Sequence, residues 1–455
     1  MWALLSETLL IFVLSDLYKS KTRFLPSRKN VGDGHGKQPP SSRAMLRHSK
    51  GQIMSSNEIP EHIQKPHIRR VHPIPGQDQS GRPIVQLRDP FMLARDRMLG
   101  VPVQAMQAIQ MFDGEHTLQE IADSIKRTLA DIETLARNMD EAGLLWGPRS
   151  EALEASLKQE LERMGHLPMR HSRVLGETEE DARTKLREWM HQTEDPEITG
   201  VIRGLVVPRL DFNALYPVYA GAYHTVLNQK IDHVLILGCN QSGLGEGVIL
   251  TQLGLQSPLG ILPADADFIE ALTDRLGKDC LRDELDHMTE HGPEMQAPWI
   301  QDCLSEPTPV TVALVPDPLT QPADQSGDLV SNKAFAEAVR EVIGTIGGRT
   351  LVLAAVDLSS VGPQVGEPRP VDDQRRFDVE RHDREMLGTF SNGDPDGFLD
   401  EARRTRNPTR WSGIGPMSTL LEILEDAQVE LIDYRQMMLD DKGSAMISEA
   451  CLSIT

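Results

Sequence analysis

From about residue 170 to the end of the chain, short continuous apolar runs alternate with segments of helical periodicity. The predicted strands are 200–207, 234–237, 310–315, 350–355, 429–434 and 445–452. Helical patterns lie between several of them, as over 219–227 and 332–346. Continuous apolar strands separated by helices are typical of βαβ units. We therefore predict an α/β domain over 170–455, with a mostly parallel sheet and helices on both faces.

The segments that follow the predicted strands carry polar side chains. Ligand sites in such folds lie beyond the carboxyl ends of the strands, so these segments are where a site is expected. The side chains directly after three strands are Arg209, Asp211, Cys239, Gln241, Asp357 and Ser360. Two further segments, 290–294 and 410–416, supply Glu290, His291, Glu294 and Ser412.

Taken in order and with their spacing, these five segments resemble the MEMO family, whose bacterial and archaeal members are called AmmeMemoRadiSam system protein B. Agreement extends to 257–260 with Asp265, to 430–434, and to Asp383-Arg384, which we expect to open a helix. The resemblance covers about 170–455. It implies a fold similar to class III extradiol dioxygenases, with an α/β core around a pocket that can hold a redox metal.

This chain departs from the family at each position where the resemblance implies a metal ligand. Arg209, Gln241 and Ser360 stand where family members carry histidines, and Ser412 stands where they carry a cysteine. Arginine has no lone pair to donate and is permanently charged, so it would repel a cation. We therefore expect no metal or other cofactor, and a binding or scaffold role rather than catalysis. The alternative is an iron- or copper-dependent oxidoreductase with altered ligands.

Two roles remain open for Arg209. An arginine in a pocket suits a carboxylate or phosphate ligand, which it would bind with two parallel hydrogen bonds. Alternatively, Arg209 forms a salt bridge with Asp357 or Asp211 and fills the vacated space.

Acid–base chemistry is a further possibility, with His291 and Asp357 as catalytic candidates. Glu290 or Glu294 could tune His291 as a proton carrier, or the histidine could be a satisfied group at the head of a helix. Cys239 is either a reactive thiol or a small buried hydrophobe. The sequence contains no dinucleotide fingerprint and no nucleophile elbow.

Upstream of the α/β domain we expect three segments: a poorly ordered extension and linker over 1–75, a small winged-helix-like domain over 76–150, and a helical connector over 151–169. The small domain should begin with a strand at 83–87. Three helices follow, the second with a capping box of Thr117 and Glu120, and an apolar pair at 144–145 ends it. The phrase 112–121 resembles PqqD-like domains, which implies capture of an extended peptide by strand addition. A purely structural accessory role is the alternative.

The distribution of charge along the chain limits the kinds of partner that it can bind. Residues 76–150 contain eight basic and eleven acidic side chains, and the whole chain has a net charge of −21, so neither suits nucleic acid. Residues 1–50 are basic, with nine Lys/Arg against three acids, and begin with an apolar stretch at 2–14 that is short for a membrane span. We expect a cytoplasmic protein if translation starts at Met54. Family context implies radical-SAM and AMMECR-type partners.

Overall fold

The computed structural model describes residues 59–94, 98–176, 178–210, 212–241, 243, 245–320 and 329–455. It divides into two compact units, the first ending at Glu151 and the second made of Pro90–Leu93 and Ala152–Thr455. The predicted extension over 1–58, with its apolar stretch and Met54, lies outside the described residues. Within these ranges, no helix combines the length and apolarity needed to cross a bilayer.

The helices of the described chain are α1 Glu61–Gln64, α2 Met106–Ile109, α3 Leu118–Ile125, α4 Leu129–Glu141, α5 Pro148–Met164, α6 Glu179–Gln192, α7 Phe212–His224, α8 Ala266–Leu276, α9 Gly292–Cys303, α10 Asn332–Ile346, α11 Asp373–Phe390, α12 Pro395–Thr405 and α13 Ile414–Ile423. The strands are β1 His72–Gln77, β2 Pro83–Arg88, β3 Leu99–Pro102, β4 His166–Leu167, β5 Gly204–Val207, β6 His233–Cys239, β7 Ile249–Thr251, β8 Gly254–Ser257, β9 Gly260–Leu262, β10 Val310–Val315, β11 Thr350–Ala355, β12 Ser360–Val361, β13 Val429–Met438 and β14 Met446–Ile454.

The second unit is built on an eight-stranded sheet with the order β12-β14-β5-β11-β6-β10-β7, and β13 pairs with the other edge of β14. Only the four central strands β5, β11, β6 and β10 run parallel to one another. The prediction of a mostly parallel sheet is therefore confirmed only for its centre. The last two strands, which the sequence places in the same sheet, pair with each other as an antiparallel hairpin.

Helices cover both faces of this sheet, as predicted, because its strands are apolar on both sides. Along β5, Leu205 and Val207 belong to one hydrophobic core and Val206 to the other. The first core includes residues of α7 and α9, and the second residues of α8, α10, α11, α12 and α13. The sheet is therefore shielded from water, which leaves the ends of its strands as the places where polar groups can gather.

The first unit contains the antiparallel sheet β1-β2-β3 and the helices α1 to α4. The predicted capping box is present: Thr117 accepts from the Glu120 amide, and the Glu120 carboxylate accepts from the Thr117 amide at 2.8 Å. The linker predicted up to residue 75 is wrong for its last part, because α1 and the start of β1 lie there. Several of its prolines belong to ordered elements: Pro60 precedes α1, and Pro73 and Pro75 lie in the edge strand β1.

Two other expectations for this unit are corrected. The first of the three predicted helices is short: a 3₁₀ turn at Val103–Ala105 is followed by α2. The apolar pair at 144–145 does not form a regular strand, and Leu145 makes an isolated antiparallel bridge with Ile68. The resemblance of this unit to a winged helix remains a prediction.

A buried carboxylate fixes α11 to the β13–β14 hairpin. Asp383, which the sequence places at the start of a helix, lies in the interior of α11 and is fully buried. Its four donors are Ser359 Oγ at 2.5 Å, Trp411 Nε1 at 2.7 Å, Tyr434 OH at 2.8 Å and Ser448 Oγ at 2.6 Å. Both oxygens are thus satisfied by neutral groups from three separate segments, which compensates for the burial of the charge.

We expect Asp383→Ala to lower the free energy of unfolding by more than about 3 kcal/mol, because several buried donors lose their acceptor at once. Urea denaturation of the full chain measures this loss. The control is Asp378→Ala on the same helix, whose side chain is 40% exposed. Its effect should stay within about 1 kcal/mol. Equal effects of the two substitutions would contradict the anchoring role of Asp383.

Candidate functional site

The candidate site lies at the carboxyl ends of three adjacent parallel strands. Arg209, Gln241 and Asp357 are each the second residue after the end of β5, β6 and β11. These strands are neighbours in the order β5-β11-β6, and their ends are level because Ala355 pairs with Val207 and Ala354 with Leu237. The sheet therefore brings together three side chains that are far apart in the sequence.

Arg209 is the centre of the site and is only 6% exposed. Its Nε donates to Asp357 Oδ2 at 2.7 Å, its Nη2 donates to Gln241 Oε1 at 3.0 Å, and its Nη1 donates to Glu290 Oε1. Burial alone would lower the pKa of Arg209, but the charges of Asp357 and Glu290 outweigh burial and raise that pKa well above its usual value. The guanidinium is therefore permanently charged and is bound by side chains of its own chain.

These contacts distinguish the two roles open for Arg209. The ion pair with Asp357 is present, and Glu290 is a second partner that the sequence did not suggest for this role. An external carboxylate or phosphate would have to displace these two acids, so the geometry does not favour an anion site. Asp211, the other candidate partner, lies outside the described residues.

Glu290 is positioned by the start of α9. The Gly292 amide donates to Glu290 Oε1 at 3.0 Å, the same oxygen that Arg209 contacts. A Cβ at position 292 would lie 3.1 Å from Arg209 Cβ and 3.3 Å from the carbonyl oxygen of Ala355. Glycine at this position thus allows α9 to approach the ends of the strands closely.

Ser412 and Cys239 line the neighbouring part of the site. Ser412 Oγ donates to the carbonyl oxygen of Asp357 at 3.1 Å, and the Cys239 thiol donates to the carbonyl oxygen of Ser412 at 3.2 Å. Burial raises the pKa of Cys239 well above its usual value, despite the nearby charge of Arg209. A thiolate is therefore disfavoured, and this environment fits a small buried side chain better than a reactive nucleophile.

His291 lies at the N-cap position of α9 and is partly buried. Its ring lies 4.9 Å from the ring of His171. Burial, and then the charge of Arg209, lower the pKa of His291, so the neutral imidazole predominates at neutral pH. A role in proton transfer remains a prediction for this residue.

Glu294 has contacts that differ from the expected pairing with His291. Its Oε1 accepts hydrogen bonds from the amides of Arg170, His171 and Ser172 at 2.8–2.9 Å and from the Ser172 hydroxyl at 2.9 Å. This carboxylate therefore holds the 170–172 segment against α9.

Ser360 is not brought to Arg209. It lies in β12, where it pairs with Ile447, and its amide donates to the carbonyl oxygen of Thr409 at 2.8 Å. Of the four positions where the resemblance implies metal ligands, the structure gathers Arg209, Gln241 and Ser412 and leaves Ser360 aside.

Glu449 is a residue of the site that the sequence analysis missed. It lies in β14, is fully buried, and its side chain is within hydrogen-bonding reach of Asp357. The available signal was a single charged residue in an otherwise uncharged strand. Such a residue rarely occurs in a buried strand without a partner.

The side chains gathered here do not fit a transition-metal ion. A guanidinium lies at the centre of the site and offers a positive charge instead of a lone pair. The oxygens of Asp357 and Glu290 nearest to it are already bound to that guanidinium. Among the described residues, no group of three or more His, Cys, Asp or Glu side chains is placed to hold a metal ion.

Comparison with known proteins gives a consistent family assignment. A family model described as Memo-like protein matches residues 170–452. A MEMO1 family protein of Aquifex aeolicus is 24% identical over 76% of this chain and 90% of its own length. Another, from Thermus thermophilus, is 25% identical over 70% of this chain and 93% of its own length. A third, from Methanothermobacter thermautotrophicus, is 31% identical over 36% of this chain and 56% of its own length.

We expect Arg209→Met to lower the free energy of unfolding by about 3–5 kcal/mol, because Asp357 and Glu290 are then buried without their cation. Urea denaturation measures the loss. The control is Arg403→Met, which breaks a 2.9 Å ion pair with Asp400, in which the two side chains are 54% and 76% exposed. That change should cost no more than about 1 kcal/mol. A loss at Arg209 no larger than that of the control would show that the buried ion pairs do not stabilise the fold.

Proposed function

The chain belongs to the Memo-like protein family, and on this basis we propose that it is a member in which an internal ion pair replaces metal chemistry and which acts as a binding or scaffold protein. The observation that carries the proposal is the buried contact of Arg209 with Asp357 and Glu290. We infer that this site corresponds to the pocket in which a dioxygenase-like fold would hold its metal. Here its central position is filled by a cation that is covalently part of the chain.

Electrostatics support this proposal. A divalent ion beside Arg209 would face a full positive charge at short range in a buried environment. It would also compete with the guanidinium for the same carboxylate oxygens. A histidine at position 209 would remove both obstacles. Gln241 Oε1 lies 3.0 Å from the guanidinium, so a ligand at position 241 would already be close to that point. We therefore propose that arginine in place of histidine at position 209 is the change that most disfavours a metal ion.

The second part of the proposal concerns docking by the first unit. Pro73 and Pro75 pair with Leu87 and Val85, and prolines are accommodated in a ladder only where their nitrogens face away from the partner strand. The outer edge of β1 therefore lacks two N–H donors and is a poor template for an added strand. By the same alternation, Gly100 and Pro102 of β3 face outward, so the outer edge of β3 offers the N–H and C=O of Gly100 and the C=O of Pro102. We propose β3 as the docking edge for an extended peptide or protein segment, with a radical-SAM or AMMECR-type protein as the first candidate partner.

We expect the wild-type protein, purified from a culture supplemented with iron and copper, to contain well under one equivalent of either metal. Elemental analysis by mass spectrometry measures this. The triple variant Arg209→His, Gln241→His, Ser412→Cys should gain metal, because it places imidazole and thiolate donors at the gathered positions. The control Ser360→His should gain none, since Ser360 lies away from Arg209. Stoichiometric metal in the wild type that disappears in Asp357→Ala would overturn the proposal in favour of a metal-dependent oxidoreductase.

The docking edge is tested by Gly100→Pro in the full chain, which removes the outward N–H of β3. Its matched control is Gly100→Ala, which keeps the N–H and adds the same Cβ, 2.9 Å from Ile84 Cδ1. We expect co-purification with a co-expressed radical-SAM partner to be lost with proline and retained with alanine. Equal retention by both variants would remove β3 from consideration as a docking edge.

A further inference from the structure

The carboxyl groups of Glu449 and Asp357 lie close together, and no hydrogen-bond donor of the described residues binds the oxygens that face each other. Both oxygens of Glu449 and Oδ1 of Asp357 are buried, and none of them receives a hydrogen bond from a donor in the described part of the chain. The remaining oxygen, Oδ2 of Asp357, is bound by Arg209. Continuing the antiparallel register of β14 and β5 by three residues brings Glu449 level with Arg209.

The charges of the site do not balance if every acid is ionised. Arg209 supplies one positive charge, and it already contacts two carboxylates, those of Asp357 and Glu290. An ionised Glu449 would add a third negative charge next to Asp357, where both side chains are buried. Two carboxylates in such contact share one proton, because the second ionisation is strongly disfavoured.

We propose that Glu449 is a neutral carboxylic acid that donates its proton to Oδ1 of Asp357, so that the site holds one guanidinium and one trapped proton. Ionisation of Glu449 at high pH then weakens the packing of β14 against the ends of β5 and β11. The inference deepens the proposed function and rests on it, since a metal ion in this space would displace the proton.

The groups that face Glu449 are consistent with this assignment. Arg209 and Asp357 approach from the segments after β5 and β11, with Glu290 beyond Arg209.

Two other neighbours of Glu449 direct their donors elsewhere. Tyr219 of α7 lies close enough to interact, but its hydroxyl donates to the carbonyl oxygen of Leu210 at 2.9 Å. Arg435 of β13 is opposite in register, but its Nε donates to Asp433 at 2.8 Å. Burial and then Asp357 raise the pKa of Glu449 well above its usual value.

The experiment compares the pH dependence of unfolding for the wild type, Glu449→Gln and Glu449→Met in the full chain. In the folded chain the pKa of Glu449 lies well above its usual value. In the unfolded chain its pKa is that of an ordinary glutamate, about 4.5. The stability that the retained proton confers is therefore complete below this pH and falls as the pH rises towards the folded-state pKa. Relative to Glu449→Gln, the unfolding equilibrium constant of the wild type should rise about tenfold per pH unit between pH ~5 and ~7.

Glu449→Met is the matched control, since it removes the same ionisable group but provides no donor to Asp357. It should share the flatter pH dependence of the glutamine variant yet be less stable at each pH. Infrared spectroscopy gives a second readout on the folded protein: the wild type at pH 7 should show the carbonyl band of a protonated buried carboxyl group. Glu449→Gln assigns that band by losing it.

Parallel pH profiles for the wild type and Glu449→Gln, or absence of the carboxylic acid band, would overturn the inference. A pH difference that disappears when chelator is added would also overturn it, because a bound cation and not a proton would then separate the two acids. The metal content of the wild type tests the proposed function separately. If the protein is metal-free but shows no pH difference from Glu449→Gln, only the proposal of a protonated Glu449 is refuted.

Discussion

A guanidinium buried among carboxylates is the interaction on which the site depends. Arg209 joins the ends of β5, β6 and β11 to the start of α9 through Asp357, Gln241 and Glu290. Each of these groups would be costly to bury alone, and each is tolerated because the others are present. The ends of the central strands in this Memo-like chain are thus organised around a buried cation.

The second unit shows several ways to bury an acid. Asp383 is surrounded by neutral donors, Glu294 is bound mainly by backbone amides, and Asp357 is paired with a cation. Glu449 has none of these partners, which is why we assign it a proton. In the first three cases a charge compensated within the fold connects segments that are distant in sequence. Such groups specify a single arrangement of the helices and strands more strictly than apolar contacts alone.

The sequence was most informative where local patterns decide the structure. The strands at 310–315 and 350–355 and the helix at 332–346 were predicted with their observed ends, because apolar runs and helical periodicity mark them locally. The interior position of Asp383 in α11 was missed, since no local signal distinguishes a helix start from a buried charge with distant donors. The partners of Arg209 depend on strand order and on the approach of α9, which periodicity does not determine. Glu449 was overlooked because an apolar run was interpreted as a whole.

The prolines of β1 have a consequence for assembly. A sheet that can be extended from only one side accepts one added strand and then ends, because β1 presents no continuous ladder to a second molecule. A complex formed by the proposed docking at β3 would therefore not grow into a chain of copies joined edge to edge.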